Sequence, residues 1–238
     1  MAAKNETKNG APAPAKPVVE GTGRLDLLPK NRLEAFADGV FAIAITLLVL
    51  EIEVPTGSGG FWKALLEEWP SFLGYLVSFV FIGGLWMSHV SVTRLVKRGD
   101  TTLYGLHLLV LLFVAILPFT TKVMATNLGD QWEHGAVTLF GINLVLASAL
   151  LNVTIRYVRR DKALRDDTVA EEELKSFFRL RLWSTLSLVV AAVLAAVLPL
   201  VAVLIYLLAS AVFLVQPVFS MWRRPRRART RDEAAKRR

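Results

Sequence analysis

Residues 32–52 read RLEAFADGVFAIAITLLVLEI. After a charged opening the stretch is apolar for long enough to cross a hydrocarbon core, which takes about 20 helical residues. A helix that only faces lipid needs no Asp38, Gly39 or Thr46. On a helical period Gly39, Ile43, Thr46, Leu47, Leu50 and Val54 share one face. That face has two readings. In the first, Ile43 and Leu50 pack against neighbouring helices and Thr46 bonds back to the carbonyl of residue 42. In the second, several copies of the helix surround an axis. Ile43 and Leu50 then form apolar rings and Thr46 a hydroxyl ring, while Asp38, Glu51 and Glu53 at the two ends draw cations.

Outward from this stretch the same composition recurs. Hydrophobic residues make up 54% of the chain, gathered into runs over Ala35–Val54, Pro70–Thr93, Thr101–Thr126, Gly135–Tyr157, Phe178–Leu198 and Leu200–Trp222. The last two meet at Pro199 without a polar loop. The expected fold is therefore an all-α polytopic membrane protein with six transmembrane helices per subunit, five being the alternative. Residues 27–222 form the membrane domain. Residues 1–26, rich in Ala, Pro, Lys and Gly, read as a disordered tail, and residues 223–238 as a basic tail. Lys and Arg crowd both tails and the connections after the second and fourth runs, Arg179 and Arg181 among them. Basic residues mark the cytoplasmic side, so both termini are expected there. Trp62, Trp69, Trp86, Trp132, Trp183 and Trp222 lie mostly near run ends, as an interfacial belt does.

The net charge of +8 is explained by these topology-setting residues and by anionic membrane lipids, not by nucleic acid. The chain has no cysteine and only three histidines, without HExxH spacing, so a metal site is not expected. A TVGYG-type filter, a P-loop, regularly spaced span arginines and a GxSxG elbow are all missing. The chain is not read as an enzyme, and no cofactor is expected. Arg32, Asp38, Trp86 and His89 gather near one membrane face, where they either clamp the first helix to the second or relay protons. His107 opens the third run and can join them. Asn143 and Asn152 read as interhelical hydrogen bonds, and Gly83, Gly84, Gly141 and the Ala191/Ala195 and Ala192/Ala196 pairs as close packing contacts.

These residues resemble a known family. Arg32, Phe36-Ala37-Asp38, Gly39-Val40-Phe41 and Ala42-Ile43-Ala44-Ile45-Thr46 match the first-helix signature of the transmembrane protein 175 family. GLWMSHV at 84–90 and AILPFTT at 115–121 are similar to it as well. One departure is Ala37, where the family usually has serine; it removes a hydroxyl from the network at that end of the helix. The resemblance implies a bacterial plasma-membrane homotetramer of six-helix subunits whose first helices line a pore. It implies a constriction made of branched aliphatic side chains, at Ile43 by motif position, with Thr46 and Leu50 on the next turns and Gly39, Leu47 and Val54 lining the rest. Arg32, Phe36, Asp38, Trp86 and His89 would form the structural network at the cytoplasmic end, where His89 adds pH sensitivity. The function implied is a passive, moderately selective potassium channel with potassium ions in its pore. The alternatives are a proton-coupled cation transporter or a non-conducting scaffold.

Overall fold

Apolar runs punctuated by charged connections and prolines dictate helices, and a computed structural model of the chain is built from them. The structure describes residues 30–52, 60–97, 99–160, 164 and 171–215; Glu53, Val54, Trp222 and both tails lie outside these. The helices are α1 (Lys30–Leu50), α2 (Phe61–Glu67), α3 (Trp69–Arg94), α4 (Thr101–Asn127), α5 (Glu133–Arg160), α6 (Glu171–Leu194) and α7 (Pro199–Val215). Four of them, α1 and α3 to α5, are long and apolar enough to cross a membrane, and α7 is a shorter apolar helix. The chain after 171 is thus two helices. The break falls at Pro199, which opens α7, where its fixed φ suits a helix start and its missing N–H costs nothing. Pro70 plays the same part in the first turn of α3.

Helix α4 sits at the centre, packed against α1, α3 and α5, with α6 on the far side of α5. One apolar core runs through all of them, from Phe41 and Leu48 on α1 through Phe81, Leu117 and Phe140 to Phe213 on α7. Lipid cannot reward helix association as water does, so close approach and interhelical hydrogen bonds must contribute. Both are present. Asn143 of α5 donates to the Phe113 carbonyl and to Thr120 Oγ1, each at 3.2 Å. These acceptors flank Pro118, whose ring removes one N–H from α4. One turn on, Thr121 donates to the Leu117 carbonyl at 2.8 Å. Its single hydrogen is then used, so Ser78 of α3 donates to Thr121 across 2.7 Å. At the other end of α4, Asp100 caps the Leu103 N–H at 2.9 Å and accepts from Tyr157 of α5 at 2.5 Å.

Candidate pore helix and its clamp

Helix α1 has two unlike faces. Leu33, Ala37, Phe41, Ala44 and Leu48 are buried against α3 and α4. The opposite face carries Phe36, Gly39, Ile43, Thr46, Leu47 and Leu50, all exposed. Ile43 is 61% and Leu50 73% exposed, although both are as apolar as the residues buried behind them. Hydrophobicity alone therefore does not sort this helix; among the described residues of one subunit nothing packs on the second face. A Cβ added at Gly39 would meet no atom within 4 Å. Thr46 satisfies its own hydroxyl by donating to the Ile43 carbonyl at 2.8 Å. The expectation named residue 42 as acceptor; the rotamer adopted reaches three residues back instead. The oxygen lone pairs stay on the open face.

The clamp joins α1 to α3. Trp86 Nε1 donates to Asp38 Oδ1 at 2.8 Å. The His89 ring is buried, with its centroid 5.8 Å from Phe41 of α1 and 4.9 Å from His107 of α4. His107 Nδ1 donates to the Leu103 carbonyl at 2.9 Å, which fixes its proton there. A shallow cleft of about 350 Å³ beside the clamp is lined by Glu34, Asp38, His89, Val90, Thr93 and Arg94. Asp38, Trp86 and His89 are thus brought together, and His107 with them. Arg32 and Phe36 are not: both are exposed, and no hydrogen bond or ion pair among the described residues joins Arg32 to the group. Phe36 lies in register with Gly39 and Ile43. At the far end of α1, Glu51 pairs with Lys122 of α4 at 3.3 Å, so its charge is partly answered within the subunit. No cluster of three or more His, Asp or Glu suited to a metal ion occurs among the described residues.

The Trp86–Asp38 bond should be measurable. A cycle of Trp86→Phe, Asp38→Asn and the double variant should give a coupling of about 1 kcal/mol in unfolding, a charged hydrogen bond reduced by its partial exposure. Strictly additive single effects would mean that the two side chains do not hold each other.

The model of the family described as the endosomal/lysosomal potassium channel TMEM175 matches residues 32–118, from the start of α1 to Pro118. A potassium channel of Streptomyces collinus is 43% identical over 142 residues, which cover 58% of this chain and 69% of that protein. The chain belongs to the TMEM175 family. Among solved structures it is similar to a lysosomal potassium-selective channel TMEM175 homolog from Chamaesiphon minutus, with a TM-score of 0.71 at 29% identity, over 79% of this chain and 97% of that one. Mouse TMEM175, named as an endosomal/lysosomal proton channel, is 38% identical over 124 residues, 47% of this chain but 25% of its own length. The α1 face and the Trp86–Asp38 clamp both lie inside the stretch that carries the TMEM175 signature.

Arg181, expected among the topology-setting basic residues of the fourth connection, is instead buried completely inside the bundle, on α6. The signal was available, because Arg181 falls within the apolar run from Phe178, and ionisable residues inside a span are costly unless partnered.

Proposed function

We propose that this TMEM175-family chain is the subunit of a homotetrameric, potassium-permeable channel with six membrane-spanning helices, α1 and α3 to α7, and with α1 lining the pore. The observation that carries this is the unpartnered face of α1. Five apolar or small residues and one hydroxyl at helical spacing stand exposed, on the helix that bears the family signature. Four such faces around an axis make an apolar ring at Ile43, a hydroxyl ring at Thr46 and a second apolar ring at Leu50. Val54, expected from the sequence to share this face, lies outside the described residues.

The physics of such a pore is simple. A narrow apolar ring disfavours water and makes a passing ion shed part of its shell. Potassium holds its water less tightly than sodium, so its barrier is lower. Thr46 hydroxyls replace some of the lost waters one turn along. Nothing in the ring measures ion size closely, so selectivity is moderate, and a small rotation of α1 closes the path by dewetting. The clamp through Asp38, Trp86 and His89 sets that rotation at one end of α1, and the Glu51–Lys122 pair sets it at the other. Conduction is passive, through a plasma-membrane channel with both termini in the cytoplasm.

The test is ion flux into liposomes reconstituted with the purified tetramer. Potassium flux that exceeds sodium flux and needs no proton gradient is the expected result. Flux only under a proton gradient would favour a proton-coupled transporter, and no flux from folded tetramers would favour a scaffold.

A further inference from the structure

Arg181 is the largest fully buried side chain among the described residues. Its guanidinium faces three other helices. Nη1 donates to Ser88 Oγ of α3, and Nε donates to Asn152 Oδ1 of α5 at 3.3 Å. The guanidinium carbon lies over the Phe213 ring of α7, 4.7 Å from its centroid. A lysine, with one compact ammonium, cannot reproduce this planar set of contacts.

The hydrogens around it can be assigned. Ser88 donates its only hydrogen to the Gly84 carbonyl at 2.7 Å, so it accepts from Arg181. Thr185 donates to the Arg181 carbonyl at 3.0 Å. Its two lone pairs then accept from Asn152 Nδ2 at 2.7 Å and from Ser148 at 2.6 Å. The network runs from Arg181 through Asn152 and Thr185 back to the Arg181 backbone, with one arm from Thr185 to Ser148 and another from the guanidinium to Ser88.

That arm leads toward the pore helix. Ser88 lies between Trp86, which holds Asp38 of α1, and His89, which packs on Phe41 of α1. At 100° per residue Ser88 points away from Trp86. This turn of α3 is therefore gripped on one side by α1 and on the other by Arg181. A single helical turn moves as a unit, so a displacement at Ser88 is a displacement at Trp86 and His89. We infer that Arg181 is a positioning residue for permeation: through Ser88 it fixes the turn of α3 that sets the angle of α1, and so the width of the Ile43 ring. This rests on the channel reading above.

The experiment is single-channel recording of reconstituted tetramers of the wild type and of Ser88→Ala, Arg181→Lys, Arg181→Met and Ser148→Ala, with assembly checked by size-exclusion chromatography. Ser88→Ala removes the acceptor of the arm toward α1, together with the Ser88 bond to the Gly84 carbonyl of its own helix, and leaves the Asn152 and Thr185 contacts in place. It and Arg181→Met should change open probability or the potassium-to-sodium permeability ratio by about tenfold, the scale of one lost charge-assisted hydrogen bond. Arg181→Lys should fall between these and the wild type. Ser148→Ala removes a hydrogen bond at the far end of the network; it should lower the melting temperature and leave both channel properties unchanged. Wild-type open probability and permeability ratio in Ser88→Ala and Arg181→Met would overturn the proposal, as would a Ser148→Ala channel altered as much as Ser88→Ala. If Arg181→Met does not assemble, Ser88→Ala and Arg181→Lys decide by the same criteria. A wild-type tetramer that conducts nothing overturns the channel reading and this inference together, whereas a conducting wild type beside unaltered variants overturns the inference alone.

Discussion

Ile43→Asn should raise cation flux about tenfold and bring the potassium-to-sodium permeability ratio close to one. Ile43 is 61% exposed on a helix whose other face is tightly packed, so the change leaves the subunit's core untouched. On the proposed channel reading, what it alters is the ring that four copies would form. An apolar constriction charges each ion for lost hydration and charges sodium more than potassium. An amide at the same place offers oxygen to either ion and admits water. Lowering the barrier by about 1.4 kcal/mol gives the tenfold gain, and because sodium benefits more, the ratio falls as flux rises. Thr46→Ala should act in the opposite sense on flux and more weakly, because it removes a partial substitute for water just beyond the ring. Val49→Asn is the control. Val49 is 50% exposed but sits about 120° around α1 from Ile43, so it should leave both quantities unchanged. Liposome flux of each variant against the wild type checks all three. An Ile43→Asn tetramer with wild-type selectivity would move the constriction elsewhere on α1.

The sequence carried the α1 face because one periodicity served both purposes. Buried Leu33, Ala37, Phe41, Ala44 and Leu48 and exposed Gly39, Ile43, Thr46, Leu47 and Leu50 alternate on the same helical repeat. Spacing therefore separates the two faces, although hydrophobicity cannot say which of them faces inward. The break at Pro199 and the interhelical bonds of Asn143 and Asn152 were legible for local reasons: a proline cannot continue a helix, and an amide inside a span must find a partner. The Trp86–Asp38 bond spans 48 residues and was reached through a shared membrane depth and a family signature, not through spacing. For Arg181 the apolar run from Phe178 signals burial, but Ser88, which accepts from its guanidinium, lies 93 residues away, and no spacing in the sequence names it. Glu51 illustrates the same limit, since nothing local in the sequence pairs it with Lys122.

Gly84→Ala should be strongly destabilising, and the reason is backbone contact. A Cβ at residue 84 would lie 2.6 Å from Phe213 Cβ, 2.8 Å from the Leu214 nitrogen and 2.9 Å from the Phe213 carbonyl carbon. Two of these three atoms are backbone, so no rotamer change relieves the clash and α7 itself must move away from α3. That motion separates the Phe213 ring from Phe81, now edge-on at a centroid distance of 6.0 Å. It also draws the ring out from under the Arg181 guanidinium. The cost should reach about 3 kcal/mol, the upper end of the range for overpacking a well-filled core. Gly83→Ala, one residue away, meets only the Leu214 Cδ1 methyl at 3.4 Å, a contact that side-chain adjustment absorbs. Thermal unfolding of the detergent-solubilised tetramers should therefore show a fall of several degrees for Gly84→Ala and almost none for Gly83→Ala. Gly39→Ala completes the comparison, because its new methyl meets nothing within the subunit. Its melting temperature should match the wild type, while on the proposed channel reading its potassium flux should fall, because the added methyl groups would narrow the path beside Ile43. A Gly84→Ala protein as stable as Gly83→Ala would mean that α3 and α7 do not touch at this point.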